Sequence, residues 1–114
     1  MRPSSAKAKG RRFQQEIRAA ILEAFPDLEP DDVRVAVMGE SGEDVKLSPA
    51  ARRVFPFAIE AKNVERLNIW SALTQAEKNA GGYTPLLVFR RNRTKPYVAL
   101  PLAAFVKLVA ERKS

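Results

Sequence analysis

The stretch Gly42–Lys62, GEDVKLSPAARRVFPFAIEAK, restricts the fold more than any other part of the chain. It holds two short alternating runs, Asp44–Ser48 and Phe55–Lys62, around a Pro49–Val54 connection. Strand side chains point alternately to opposite faces. Phe55, Phe57, Ile59 and Ala61 therefore share one face of the second run, and Pro56, Ala58, Glu60 and Lys62 share the other. In the first run Val45 and Leu47 lie opposite Asp44, Lys46 and Ser48. A hairpin centred near Arg52 pairs Ser48 with Pro56, Lys46 with Ala58 and Asp44 with Glu60. Directly opposed side chains in such a pair stand about 5 Å apart. Two carboxylates then converge beside an ammonium group, and a divalent cation is the natural third party to their repulsion.

With 114 residues, the chain suits one domain with a single core. Hydrophobic residues make up 46%, which excludes a disordered protein. Twenty Lys and Arg against thirteen Asp and Glu leave a net charge of +7. A polyanionic partner follows, nucleic acid ahead of an anionic membrane surface. There is no cysteine, so disulfides, zinc–thiolate sites and cysteine nucleophiles are out. Histidine is absent too, which removes Ser-His-Asp triads and imidazole acid–base chemistry. Carboxylates, lysine, hydroxyls and a hard metal ion remain. No apolar run approaches the roughly 18 residues of a membrane span. The start MRPSSAKAKGRR is no secretory signal, so an intracellular, cytoplasmic protein is expected.

In chain order, residues 1–9 read as a flexible basic arm, and residues 10–114 as the folded domain. Arg11–Phe25 has helical spacing in Phe13, Ile17, Ala20, Ile21, Ala24 and Phe25, with Glu16 at the margin of that face. Pro26 ends the helix. Val33–Met38 alternates as a first strand, and Gly39–Gly42 turns into the hairpin. Ile69–Ala80 is a second amphipathic helix, with Ile69, Ala72, Leu73, Ala76 and Ala80 inward, stopped by Gly81-Gly82. Thr84–Arg90 reads as a strand buried on both faces, Arg90–Lys95 as a basic loop, and Pro96–Leu100 as the last strand. Pro101 opens a final helix with Leu102, Phe105, Val106 and Val109 inward. The expected architecture is a single α/β domain, a central mixed five-stranded sheet flanked by helices in the order α-β-β-β-α-β-β-α.

Asp44, Glu60-x-Lys62 and Glu16 supply the residue types of phosphodiester hydrolysis. Carboxylates hold Mg²⁺, which polarises the phosphate and lowers the pKa of an attacking water. A lysine beside the metal orients that water and balances developing charge. E-x-K alone is a weak motif; an Asp sixteen residues earlier in a compatible register strengthens it. Ser41 and Ser48 are candidate polar groups beside a scissile phosphate, though turn and strand-end hydroxyls also look like this. Trp70, Tyr83 and Phe89 read as core or interface residues, with base stacking by Trp70 the lesser alternative.

Lys9-Gly10 opening the helix with Glu16, Ser41-Gly42 before Asp44, Ile59-Glu60-Ala61-Lys62 and the Gly81-Gly82 turn together resemble the PD-(D/E)xK nuclease superfamily. Within it the likeness is to archaeal-type Holliday-junction resolvases, including small phage members, over roughly Lys9 to Leu102. The position before Asp44 is Glu43 where the superfamily nominally has proline. The resemblance implies a restriction-endonuclease-like fold and a Mg²⁺-dependent endonuclease, with Mn²⁺ as a substitute. It implies Asp44 and Glu60 as direct metal ligands, with the Ala61 carbonyl as a backbone ligand. Lys62 would position the water, and Glu16 would reach the metal through water. Gln75 resembles a glutamine often found on the following helix, while its phase also suits a surface residue. The implied partner is branched DNA, a four-way junction cut by a homodimer, with no small-molecule cofactor and no membrane. Lys7, Lys9, Arg11, Arg12, Arg52, Arg53, Arg90, Arg91 and Arg93 are the candidate phosphate contacts.

Overall fold

The structure, a computed structural model, describes residues 3–112. Helix α1 (Pro3–Ala24) leads through a 3₁₀ turn (Pro30–Asp32) to β1 (Val33–Val35) and β2 (Val45–Leu47). A short helix α2 (Pro49–Val54) precedes β3 (Phe57–Asn63), and α3 (Ile69–Lys78) joins it to β4 (Thr84–Arg90). The chain ends with β5 (Tyr97–Ala99) and α4 (Leu102–Glu111). The five strands form one mixed sheet in sequence order. Only β3 and β4 run parallel, because α3 carries the chain back across the sheet between them. This is the expected single α/β domain, with α2 as an added element.

The core follows from two amphipathic surfaces. Phe13, Ile17 and Ile21 of α1 recur at helical spacing and bury against Val33, Val45, Ile59, Leu86 and Val88. Each large side chain so buried contributes roughly 1.5–3 kcal/mol. On the other face α3 lies over β3 and β4, with Ala72 and Ala76 buried above Ala58 and Leu87. Alanines on that face let the helix sit close to the strands.

Val45 pairs with Ile59, the register that the alternation of Gly42–Lys62 requires. The connection is a helical turn and not a simple hairpin tip. Ser48 caps α2 by accepting the Ala51 N–H at 3.1 Å, and Pro49 takes the first helical position, where a missing N–H costs nothing. The Ser48 hydroxyl also donates to Asp32 at 2.6 Å, which ties α2 to the 3₁₀ turn. Ser48 is thus occupied as a cap.

Four expectations need correction. The arm expected over residues 1–9 is, from Pro3 onward, the start of α1, since Ala and Lys are good helix formers; residues 1 and 2 lie outside the described residues. β1 stops at Val35 and leaves Val37 and Met38 exposed, because the chain turns away before the alternating pattern ends. Of the expectation that Trp70 and Tyr83 are core or interface residues, the core half fails, since Trp70 is 76% exposed and Tyr83 is exposed too. Finally, Leu102, Phe105, Val106 and Val109 of α4 all face solvent, with none of the helix buried. No helix of the described residues is long and apolar enough to cross a membrane.

Candidate active site at Asp44, Glu60 and Lys62

The strand pairing that sets the core also assembles a polar cluster. Asp44 stands just before β2, its N–H donating to the Ile59 carbonyl at 2.9 Å. Its Oδ2 accepts the Ala61 N–H at 2.8 Å, so backbone and side chain are both pinned to β3. The N–H and carbonyl of a strand residue leave the same edge, which places the Ala61 carbonyl on the Asp44 side.

Glu60 is the one charged residue buried among the described residues, at 3% exposure. Its Oε1 accepts from Asn79 Nδ2 at 3.3 Å, and its Oε2 lies 3.9 Å from Lys62 Nζ. The one-residue spacer puts Glu60 and Lys62 on one strand face, as the sequence requires.

Burial raises the Asp44 pKa above the usual carboxylate value, against the opposing pull of the Ala61 N–H and Lys62. Burial also raises that of Glu60, and the neighbouring Asp44 charge raises it further. Two desolvated carboxylates are held together against their own repulsion. Among the described residues no three His, Cys, Asp or Glu side chains gather as a metal group. The donor set still suits Mg²⁺, which typically binds through one or two carboxylates and keeps several waters. Asp44, Glu60 and the Ala61 carbonyl would hold such an ion.

Further charged side chains border the pair. Lys46 Nζ lies 3.6 Å from Glu43 and donates to the Ser41 backbone carbonyl, while the Ser41 residue itself is exposed. Gly42 has φ +90, the left-handed conformation that favours glycine, while the nearest atom to a Cβ there, Lys46 Nζ, is the movable end of a flexible side chain. Arg52 bonds Glu43 at 2.6 Å and the Phe57 carbonyl at 3.0 Å, and its guanidinium lies 4.0 Å from the centre of the Tyr83 ring. Its donors serve the fold, unlike the solvated Arg53 beside it.

The structure does not bring Glu16 to this cluster. Glu16 accepts from Arg90 at 3.0 Å, beside α1 residues that cover the opposite face of the sheet. That pair also ties up Arg90. Gln75 is exposed, one helical turn before Asn79. Asn79, which the sequence reading passed over, is the residue from this helix end that reaches Glu60. The one available signal was its place four residues after Gln75, and an Asn ahead of Gly81-Gly82 reads first as a helix stop.

The basic residues divide by position. Lys9 Nζ donates to Asn92 at 2.9 Å, which joins the start of α1 to the 91–95 loop. The Asn92 N–H in turn donates to Glu65 at 2.6 Å, in the link from β3 to α3. Lys7, Arg11, Arg12, Arg91 and Arg93 are exposed. Arg93 has φ 66, the left-handed conformation of a tight loop tip.

Comparison of the chain with family models, with curated proteins and with solved structures finds no match in any of the three.

Proposed function

We propose that this chain is a metal-dependent endonuclease acting on DNA, with four-way junctions as the foremost substrate. The observation that carries the reading is buried Glu60 with the half-buried Asp44 and Lys62 beside it, in a molecule of net charge +7. Two carboxylates crowded together repel a polyanion unless a cation sits between them, so a purely DNA-binding surface has no use for them. A divalent cation held there would polarise a phosphate and supply a water of lowered pKa.

The chain's own residues do the rest. Asp44 is fixed by the Ala61 N–H, and Glu60 is steadied by Asn79, so neither carboxylate must reorganise to bind. Lys62 offers its ammonium to the water and to charge growing on the phosphate. Lys9, Arg91 and Arg93 offer positive charge to the DNA backbone. Preference for junctions rests on the likeness of the Glu60-Ala61-Lys62 motif and its surroundings to junction resolvases.

The test is cleavage of a synthetic four-way junction with Mg²⁺ or Mn²⁺, against linear duplex and single-strand controls. Metal-dependent nicking near the crossover is expected. Asp44→Asn or Glu60→Gln should fall below about a thousandth of the wild-type rate, the loss of several kcal/mol, while still binding the junction. Equal cutting of linear duplex would overturn junction preference. Tight binding without cleavage under either metal would make the chain a binding module.

A further inference from the structure

We infer that the recess between the β3–α3 link and the 91–95 loop takes one unpaired nucleobase, stacked on Tyr97, from DNA bound beside Lys62. This inference rests on the reading of the chain as a protein that acts on DNA, and it names what that DNA must present. Strand register sets the place. Lys62 pairs with Phe89, and Phe89 with Tyr97, so these three side chains form one row across a single face of the sheet. Neighbouring strands lie about 4.8 Å apart, which puts Tyr97 about 10 Å from Lys62. β5 is an edge strand, and Tyr97 is 52% exposed on it.

The recess has a volume of about 420 Å³, inside the roughly 300–1,000 Å³ range of small-ligand sites. Val64, Leu67, Ile69 and Phe89 give it apolar walls, and Tyr97 adds a second aromatic ring. The Phe89 and Tyr97 ring centres are 6.3 Å apart, with planes inclined by 32°. Glu65 is the acidic residue in the lining, and its Oε2 accepts the Asn92 N–H at 2.6 Å. Thr94 Oγ1 accepts the Arg91 N–H at 3.2 Å and donates to the Arg91 carbonyl at 3.0 Å. Link and loop are thereby held to each other, so the recess exists before anything enters it.

The charge pattern separates base from phosphate. Arg91, Arg93 and Lys95 lie exposed on the loop that borders the recess, and Lys95 Nζ is 5.9 Å from the Tyr97 ring centre. These cations suit a phosphate backbone passing outside. Inside, a carboxylate and apolar walls reject a phosphate but accept a flat, uncharged ring, whose exocyclic amino group can donate to Glu65. An aromatic platform with cations alongside is how unpaired nucleic acid is held without sequence reading. A base inside a duplex is stacked on both faces and cannot enter, so the recess selects DNA with a base already unpaired or cheaply unpaired. Because Tyr97 shares its row with Lys62, a base in the recess would set its backbone beside Asp44 and Glu60.

The experiment measures binding of two fluorescent duplexes by anisotropy, without divalent metal so that neither is cut. One carries a single-adenine bulge, and the other an abasic nucleotide at the same position. Wild type is expected to bind the adenine bulge about tenfold more tightly, the scale of one base stacked on an aromatic ring. Tyr97→Ala should level the two duplexes, and Tyr97→Phe, which keeps the ring, should keep the preference. Trp70→Ala removes an exposed aromatic outside the recess and should keep it as well. Both side chains are exposed, so each variant should fold, and circular dichroism verifies this. Equal binding of the two duplexes by wild type would overturn the inference, even if the chain cuts DNA. A preference that survives Tyr97→Ala would overturn it too, because the base would then rest elsewhere. A preference lost in Tyr97→Ala and kept in Trp70→Ala upholds the recess even if no metal supports cleavage, so the recess and the nuclease reading fail separately.

Discussion

Asp44 and Glu60 are held by the fold in the state that each disfavours. Burial raises both pKa values, and for Glu60 the charge of Asp44 adds to it. A raised folded-state pKa means that the protonated form stabilises the native chain. That contribution is full below the ordinary carboxylate pKa and is lost as pH rises through the raised values. At neutral pH the ionised pair therefore opposes folding. Asp44→Asn and Glu60→Gln are each expected to stabilise the metal-free protein by on the order of 1 kcal/mol, or about 4 °C in melting temperature. Mg²⁺ or Mn²⁺ should raise the wild-type midpoint as its concentration increases and leave the double variant unmoved. Thermal melts across a cation titration check this, and a wild-type midpoint blind to both ions would exclude a cation at the pair. The spacing of Glu60 and Lys62 made half of this cluster legible in the sequence, since a period of two fixes which residues share a strand face. Asn79 was not legible, because its role depends on how far α3 reaches back along β3, and that is settled by packing.

Elements show the same division between local pattern and tertiary context. The Val45–Ile59 register was readable because a slip of one residue would turn Val45, Leu47 and Ile59 out of the core. The Ser48-Pro49 start of α2 was also present in the sequence, yet six residues between two strands read equally well as a loop. For α4 the periodicity marked an apolar stripe correctly, but a stripe does not say what covers it. Glu16 shows the limit from the other side: its helix was clear, while its pairing with Arg90 joins residues 74 apart in sequence. Arg52 shifts from a suspected phosphate clamp to a brace that joins α2, Glu43 and the start of β3. Arg52→Ala should accordingly cost about 2 kcal/mol of stability, the scale of losing part-buried hydrogen bonds to a charged group. Affinity for DNA should stay within a few-fold at a temperature where the variant is folded. Urea melts and a binding titration separate the two roles; an unchanged midpoint with lost affinity would restore the clamp.

At the scale of the whole molecule, α3 divides two surfaces of opposite character. On one flank Asn79 closes on Glu60, and on the other Trp70 and Leu73 border an apolar groove. Positive charge gathers where the start of α1 meets the 91–95 loop, through Lys9 and Asn92. The link from Asn92 to Glu65 holds that loop against the end of β3, the strand that carries Glu60 and Lys62. DNA bound across this end would meet Lys9, Arg91 and Arg93 while its backbone approaches the carboxylates. Each phosphate contact releases condensed counterions, so removing one reduces the slope of log affinity against log salt by about 0.9 on duplex DNA. Lys9→Ala, Arg91→Ala and Arg93→Ala together are expected to shallow that slope by about 2–3, and to weaken binding most at low salt. Lys78→Ala, in the last turn of α3, removes one charge away from this end and should leave the slope unchanged. Binding titrations on one junction at several salt concentrations provide the measurement. If the triple variant and Lys78→Ala shift the slope equally per charge removed, the cation excess acts as diffuse charge and the 91–95 end is no docking surface.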